Sequence, residues 1–126
     1  MSLITLCTAP LSFLLKDSKE NNMAKQVVLV CKRVWYYSST DEDMFFEWIS
    51  RIKCIATYDG VRDELYLYIN TKRVSNENLR ELLALFYRYK IDMKQLQIFL
   101  NKNNNQWFYD NKKAYWHRRV FGVNKV

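Results

Sequence analysis

Residues 65–70 read LYLYIN. Strict alternation sends Leu65, Leu67 and Ile69 to one side of a strand and Tyr66 and Tyr68 to the other. A strand with one apolar face needs a layer to cover that face, and the flanking sequence supplies helices for it. Upstream, Ser38-Ser39-Thr40 runs into Asp41-Glu42-Asp43. Hydroxyls followed by acids mark a helix start: the hydroxyl accepts an orphan first-turn N–H, and the positive end of the helix dipole favours carboxylates. Met44, Phe45, Trp48, Ile49 and Ile52 then recur on one helical face, which predicts a helix ending near Lys53.

Between that helix and the alternating strand, Cys54 to Tyr58 reads as a strand and Asp59-Gly60 as a turn. Together they predict a hairpin with a loop longer than two residues. Further upstream, Val27 to Val30 is an unbroken β-branched and Leu run, which predicts a central strand buried on both faces. Val34 to Tyr37 extends it or begins a second strand.

Downstream, Ser75 caps another helix with a stripe of Leu79, Leu82, Leu83 and Phe86, while Glu77, Arg80, Glu81 and Arg88 point away. Asp92 with Gln95 has the spacing of a capping box, predicting a further helix with Met93, Leu96, Phe99 and Leu100 on its buried side. Asn103-Asn104-Asn105 ends it. Beyond that, Trp107-Phe108 and Tyr115-Trp116 stand eight apart, which suits one helix face. Asp110-Asn111 equally suits a turn between short strands. The predicted class is α+β: one domain, a small mostly antiparallel sheet and three or four packed helices.

At 126 residues the chain is long enough to bury a core without disulfide staples. Cys7, Cys31 and Cys54 are odd in number, widely spaced and outside any C-x-x-C, so they are expected to be buried or half-buried reduced thiols of a cytoplasmic protein. The net charge of +7 is uneven. Residues 40–64 hold seven acids against three bases, and residues 65–126 hold twelve bases against four acids. Such asymmetry steers charged partners. For any single charge, a solvated helix face is the commoner explanation.

Residues 1–22 precede a second methionine, Met23. Their apolar run lacks a basic leader and a small-x-small cleavage site, and it is too short to span a bilayer. Lys19-Glu20 can be encoded by a ribosome-binding sequence, with Asn21-Asn22 as spacer. Translation is therefore expected to start at Met23, with the prefix outside a domain of residues 23–126 and poorly packed.

No motif for catalysis stands out. His117 is the only histidine and sits beside Arg118 and Arg119, with no carboxylate near it in sequence. No Ser or Cys lies in a nucleophile elbow, and Gly60 and Gly122 make no phosphate loop. Asp63-Glu64 has the groups for acid–base work or Mg²⁺, yet adjacent acids on an exposed turn are usually only solvated. The expectation is a protein that is not an enzyme, with no metal and no cofactor.

Two surfaces remain as binding candidates. In the first, Asp41, Glu42, Asp43 and Glu47 on one helix and Asp59, Asp63 and Glu64 on the hairpin steer a basic partner, while Tyr66 and Tyr68 anchor it. The second is the basic, aromatic end: Lys112, Lys113, Tyr115, Trp116, Arg118 and Arg119. Rings among bases suit nucleic acid, through phosphate contacts and base stacking, so a small basic nucleic-acid-binding protein is the alternative.

The run LYLYIN, then LRELLALFYRYKIDMKQLQIFL, then N-x-x-WFYDNKKAYWHRRVFG, resembles small immunity proteins of bacterial contact-dependent growth inhibition systems. The similarity covers about residues 46–122, and RYKIDMKQL and the WF…YW…VFG ending are its most specific parts. It implies a cytoplasmic antitoxin without enzymatic activity. Such proteins bind, in a 1:1 complex, the C-terminal toxin domain of a large exported effector, often a nuclease. Inhibitors that mimic nucleic acid tend to be acidic, and this chain is basic. Either its acidic segment alone faces the toxin, or it binds away from the toxin's active site with its basic end.

Overall fold

The alternating stretch is the middle strand of a three-stranded sheet. In the computed structural model, which describes residues 26–122, the elements are β1 (Gln26–Lys32), α1 (Ser39–Arg51), β2 (Ile55–Val61), β3 (Glu64–Asn70), α2 (Asn76–Arg88), α3 (Asn105–Phe108) and α4 (His117–Phe121). A 3₁₀ turn covers Thr71–Arg73 and a longer 3₁₀ segment Met93–Phe99. The prefix of residues 1–22, the start at Met23 and Cys7 lie outside the described residues.

β3 pairs antiparallel with both neighbours, giving the order β1-β3-β2. β1 and β2 therefore run parallel with β3 between them, and α1 connects them: a split β-α-β unit. Leu65, Leu67 and Ile69 are fully buried, as are Leu29 and Cys31 on the same face of β1. Phe45 and Ile49 of α1 and Leu79, Leu82, Leu83, Leu85 and Phe86 of α2 join them in one core.

Both helix starts follow from their caps. Ser38 is extended, and its Oγ accepts the Asp41 N–H at 3.1 Å. Ser75 does the same for Asn78 N–H. Asn78 Oδ1 in turn accepts the Cys54 N–H at 3.1 Å, tying the start of α2 to the end of α1. At the other end, Tyr89 Oη donates to Asp41 Oδ1 at 2.8 Å. The two helices thus lie antiparallel.

Several expectations are corrected. β1 is an edge strand, not a central one: Val28 is 47% exposed, because its run of Val and Leu alternates between core and open face. Asp59 and Gly60 belong to β2, opposite Tyr66 and Leu65. The chain reverses at Arg62-Asp63 instead, a two-residue loop with Arg62 at φ 58°, a left-handed position hairpins usually give to glycine. The Asp92 segment winds as 3₁₀, not α. Asp92 accepts from Lys94 N–H, but Gln95 does not complete a capping box; its amide crosses to β1. Met44 and Leu100, expected on buried faces, are 53% and 37% exposed.

The Asn run closes the 3₁₀ segment through one buried side chain. Asn104 donates from Nδ2 to Phe99 O and accepts from Asn101 N–H through Oδ1. The last stretch then resolves as two short helices. Phe108 and Trp116 turn into the core, and their partners Trp107 and Tyr115 lie nearer the surface.

Candidate functional site

A groove of about 890 Å³ runs between α1 and α2 on the side away from the sheet. Trp48 stands in it, its indole N–H donating to Glu81 Oε1 across the two helices at 2.8 Å. Asp41, Glu47, Glu77 and Glu81 line it together with Arg51, Lys53 and Arg88. Much of this charge is already engaged. Asp41 holds Tyr89 Oη and the Tyr37 N–H, and Glu47 pairs with Arg51 one turn on, at 3.1 Å. Burial and the hydrogen bond to Asp41 push the Tyr89 phenol up to about 12. At the Asp41 end, Met44 is exposed and Tyr37 is 80% exposed.

A recess of about 620 Å³ adjoins the groove, sharing Trp48 and Arg88 with it. Ala84, Tyr87, Lys90, Tyr115 and Arg119 complete its walls. The Arg119 guanidinium lies over the Tyr87 ring at 4.4 Å, and Tyr87 meets Tyr115 edge to face at 4.8 Å. Burial, then Glu81 and Tyr87, raise the Tyr115 phenol above the usual tyrosine range.

The sequence-predicted acids do not form one patch. Asp41 and Glu47 line the helical groove. Asp43 is exposed, and Glu42 is half-buried near Tyr36, whose phenol burial and then Glu42 push up. Asp59, Glu64, Tyr66 and Tyr68 gather on the opposite side of the molecule, on the sheet face turned away from the core. There Tyr66 Oη donates to Glu64 Oε1 at 2.6 Å, which raises that phenol, and burial and then Asp59 raise Tyr68. No described helix covers these two tyrosines. Asp63 is paired with Arg33 at 3.0 Å, and that hydrogen bond holds its carboxyl below the usual range.

The basic end is also rearranged. Lys112, Lys113, Tyr115, Arg118 and Arg119 are exposed, but Trp116 is not part of that face. It is 8% exposed and donates its indole N–H to Phe108 O at 3.1 Å. Trp107 is half-buried beneath the Arg80 guanidinium, 4.0 Å from its ring.

The groups a catalyst would draw on have structural duties. His117 Nε2 donates to Tyr109 O at 2.8 Å, and its ring packs on Phe121. Burial pushes the Cys31 thiol up to about 12 and the Cys54 thiol to about 11, so both stay protonated at neutral pH. Among the described residues no group of three or more His, Cys, Asp or Glu side chains is placed to hold a metal ion.

Sequence reasoning missed the groove and its recess. Trp48 was assigned to the buried face of α1, and Tyr87, Arg88 and Lys90 were outside both candidate surfaces. The available signal was position: Tyr87 and Arg88 fall off the apolar stripe of α2, as an exposed aromatic does when it has a surface to serve, and Lys90 follows just past the helix end. Compared with protein families, curated proteins and solved structures, the chain matches none of them.

Proposed function

We propose that this protein is the immunity partner of a contact-dependent growth inhibition toxin. It binds the C-terminal toxin domain, a nuclease in this reading, in the cytoplasm and blocks it one to one without turnover. The observation that supports a protein partner is the groove between α1 and α2. It combines a central Trp, an exposed Met, the half-buried Tyr89 and charges of both signs, which is the chemistry of a protein interface anchor within a polar rim. A standard interface buries about 1,600 Å² in total, a size available to a domain of this length. No helix among the described residues is long and apolar enough to cross a membrane.

The test is co-expression with the toxin domain that this proposal expects a neighbouring gene to encode. Protected cells and equimolar co-purification are expected; cells that die as readily as unprotected ones overturn the proposal. Charge reversal then identifies the face used. Glu47→Lys with Glu77→Lys alters the groove, and Asp63→Lys with Glu64→Lys alters the sheet side. The groove pair is expected to slow association and change its salt dependence more than the sheet pair.

The competing reading, a small nucleic-acid-binding protein, draws on exposed Lys112, Lys113, Tyr115 and Arg118. Binding to RNA or DNA that falls steeply with salt while the toxin is ignored would favour it.

A further inference from the structure

Arg88, Lys90 and Arg119 surround the recess, and among the described residues none of the three is paired with a carboxylate. The last carbonyls of α2, the usual local acceptors for such cations, are occupied. Leu85 O takes the Tyr89 N–H, Phe86 O takes the Ile91 N–H at 2.9 Å, and Tyr87 O takes the Lys90 N–H. Besides the three cations the walls are three rings and Ala84, and Glu81, the carboxylate beside Trp48 and Tyr115, is already engaged by the Trp48 indole N–H. Unpaired cations around an aromatic hollow call for an anion with apolar surface beside it.

Two polymers offer such anions, and the adjoining groove chooses between them. A nucleic-acid strand presents an unbroken row of phosphates. Continuing past Trp48 into the groove, that row would meet Asp41, Glu47, Glu77 and Glu81. Like charges brought together this way cost binding energy. A polypeptide presents acids only where its sequence places them, and it can turn basic or neutral groups toward the groove.

We infer that the recess receives an acidic segment of a partner polypeptide, with an apolar side chain between the rings of Trp48, Tyr87 and Tyr115 and its carboxylates toward Arg88, Lys90 and Arg119. This rests on the proposed function in taking the partner to be a protein, and it adds which chemistry of the toxin's surface is recognised. The basic nucleic-acid-binding cleft of a nuclease would then not be what the recess holds. The inhibitor would grip an acidic element outside that cleft.

The probes are a ten-residue peptide of alternating Glu and Leu, the same peptide with Lys for Glu, and a ten-nucleotide oligothymidine. Their binding is followed by nuclear magnetic resonance at the Trp48 indole N–H and the Tyr115 ring. The Glu peptide is expected to shift both signals, with affinity that falls as salt rises. Lys90→Glu with Arg119→Glu should weaken it at least tenfold, as should Arg88→Glu alone if the double variant unfolds. The Lys peptide, which the acids of the adjoining groove attract past Trp48, should leave the Tyr115 ring signal in place. Oligothymidine binding tighter than the Glu peptide at these signals overturns the inference, as does a Glu peptide that shifts neither signal or binds the variants unchanged. No toxin enters this experiment. Rescue that succeeds while the Glu peptide fails removes the recess and keeps the immunity proposal; the opposite pattern does the reverse.

Discussion

The carboxamide of Gln95 closes on both backbone groups of Val30. Its Oε1 accepts the Val30 N–H at 2.8 Å and its Nε2 donates to the Val30 carbonyl at 2.9 Å. One side chain thus does for the outer edge of β1 what a fourth strand would do, and it tethers the 3₁₀ segment to the sheet across 65 residues of sequence. Gln95→Ala leaves two half-buried backbone groups to find other partners. It should cost about 1–3 kcal/mol, two ordinary hydrogen bonds, in urea denaturation. The Val30 amide should also exchange its proton faster, and a protection factor equal to that of the wild type would refute the clamp.

Tyr36 makes the opposite case. Its ring is fully buried against Phe45, while its hydroxyl finds no hydrogen-bond partner among the described residues. Tyr36→Phe keeps the ring and removes the orphan group. Stability is expected to rise by about 1 kcal/mol, toward the low end of what an unsatisfied buried polar group costs. A loss of that size, measured by thermal or urea unfolding, would mean the hydroxyl is satisfied in solution.

Trp48 separates binding from folding. It is half-buried between the helices, and Phe can keep most of its packing while losing the hydrogen bond to Glu81. Trp48→Phe should therefore lower stability by about 1 kcal/mol. Against the toxin partner it should behave as a central anchor, weakening affinity by at least about 2 kcal/mol. Calorimetry on the folded variant checks this. An affinity within twofold of wild type would place the interface elsewhere, and the sheet face of Tyr66 and Tyr68 would be next.

Alkaline solution should weaken the fold, and the sign follows from which state gives up protons first. Burial raises Cys31 from 9.0 to about 12 and Cys54 from 9.0 to about 11, and Tyr89 rises from 10.0 to about 12. The unfolded chain ionises these groups at lower pH than the folded one. Their contribution is therefore complete below about pH 9 and is lost as pH climbs through 9 to 12. Denaturation midpoints should be level from pH 7 to 8.5 and fall above 9. Tyr89→Phe, which no longer has the phenol, should show a shallower fall between pH 10 and 12. Equal slopes would show that Tyr89 does not titrate differently in the two states.

The parts of the fold legible from sequence were those set by local chemistry. Ser38 and Ser75 mark helix starts because a hydroxyl beside an orphan N–H needs only its own turn. Leu65 to Asn70 alternates because the pleat has period two. What failed depended on contacts far along the chain. The Val27–Val30 run looks central until β3 is known to be the middle strand. Asp59-Gly60 carries a turn signature, but pairing with Tyr66 and Leu65 keeps it extended. Gln95 matched a capping box and was taken instead by Val30. The candidate site divided the same way. Its acids were visible as residue types, yet which face each occupies follows from packing α1 on the core side of the sheet, opposite Tyr66 and Tyr68.

The order β1-β3-β2 also sets a sequence of events at birth. β2 and β3 form from neighbouring residues, but β1 must wait for a partner that leaves the ribosome only after the whole of α1 and the hairpin have been made. Until then the first of the described strands lacks its described partner. It is the segment on which a ribosome-associated chaperone would have most to do.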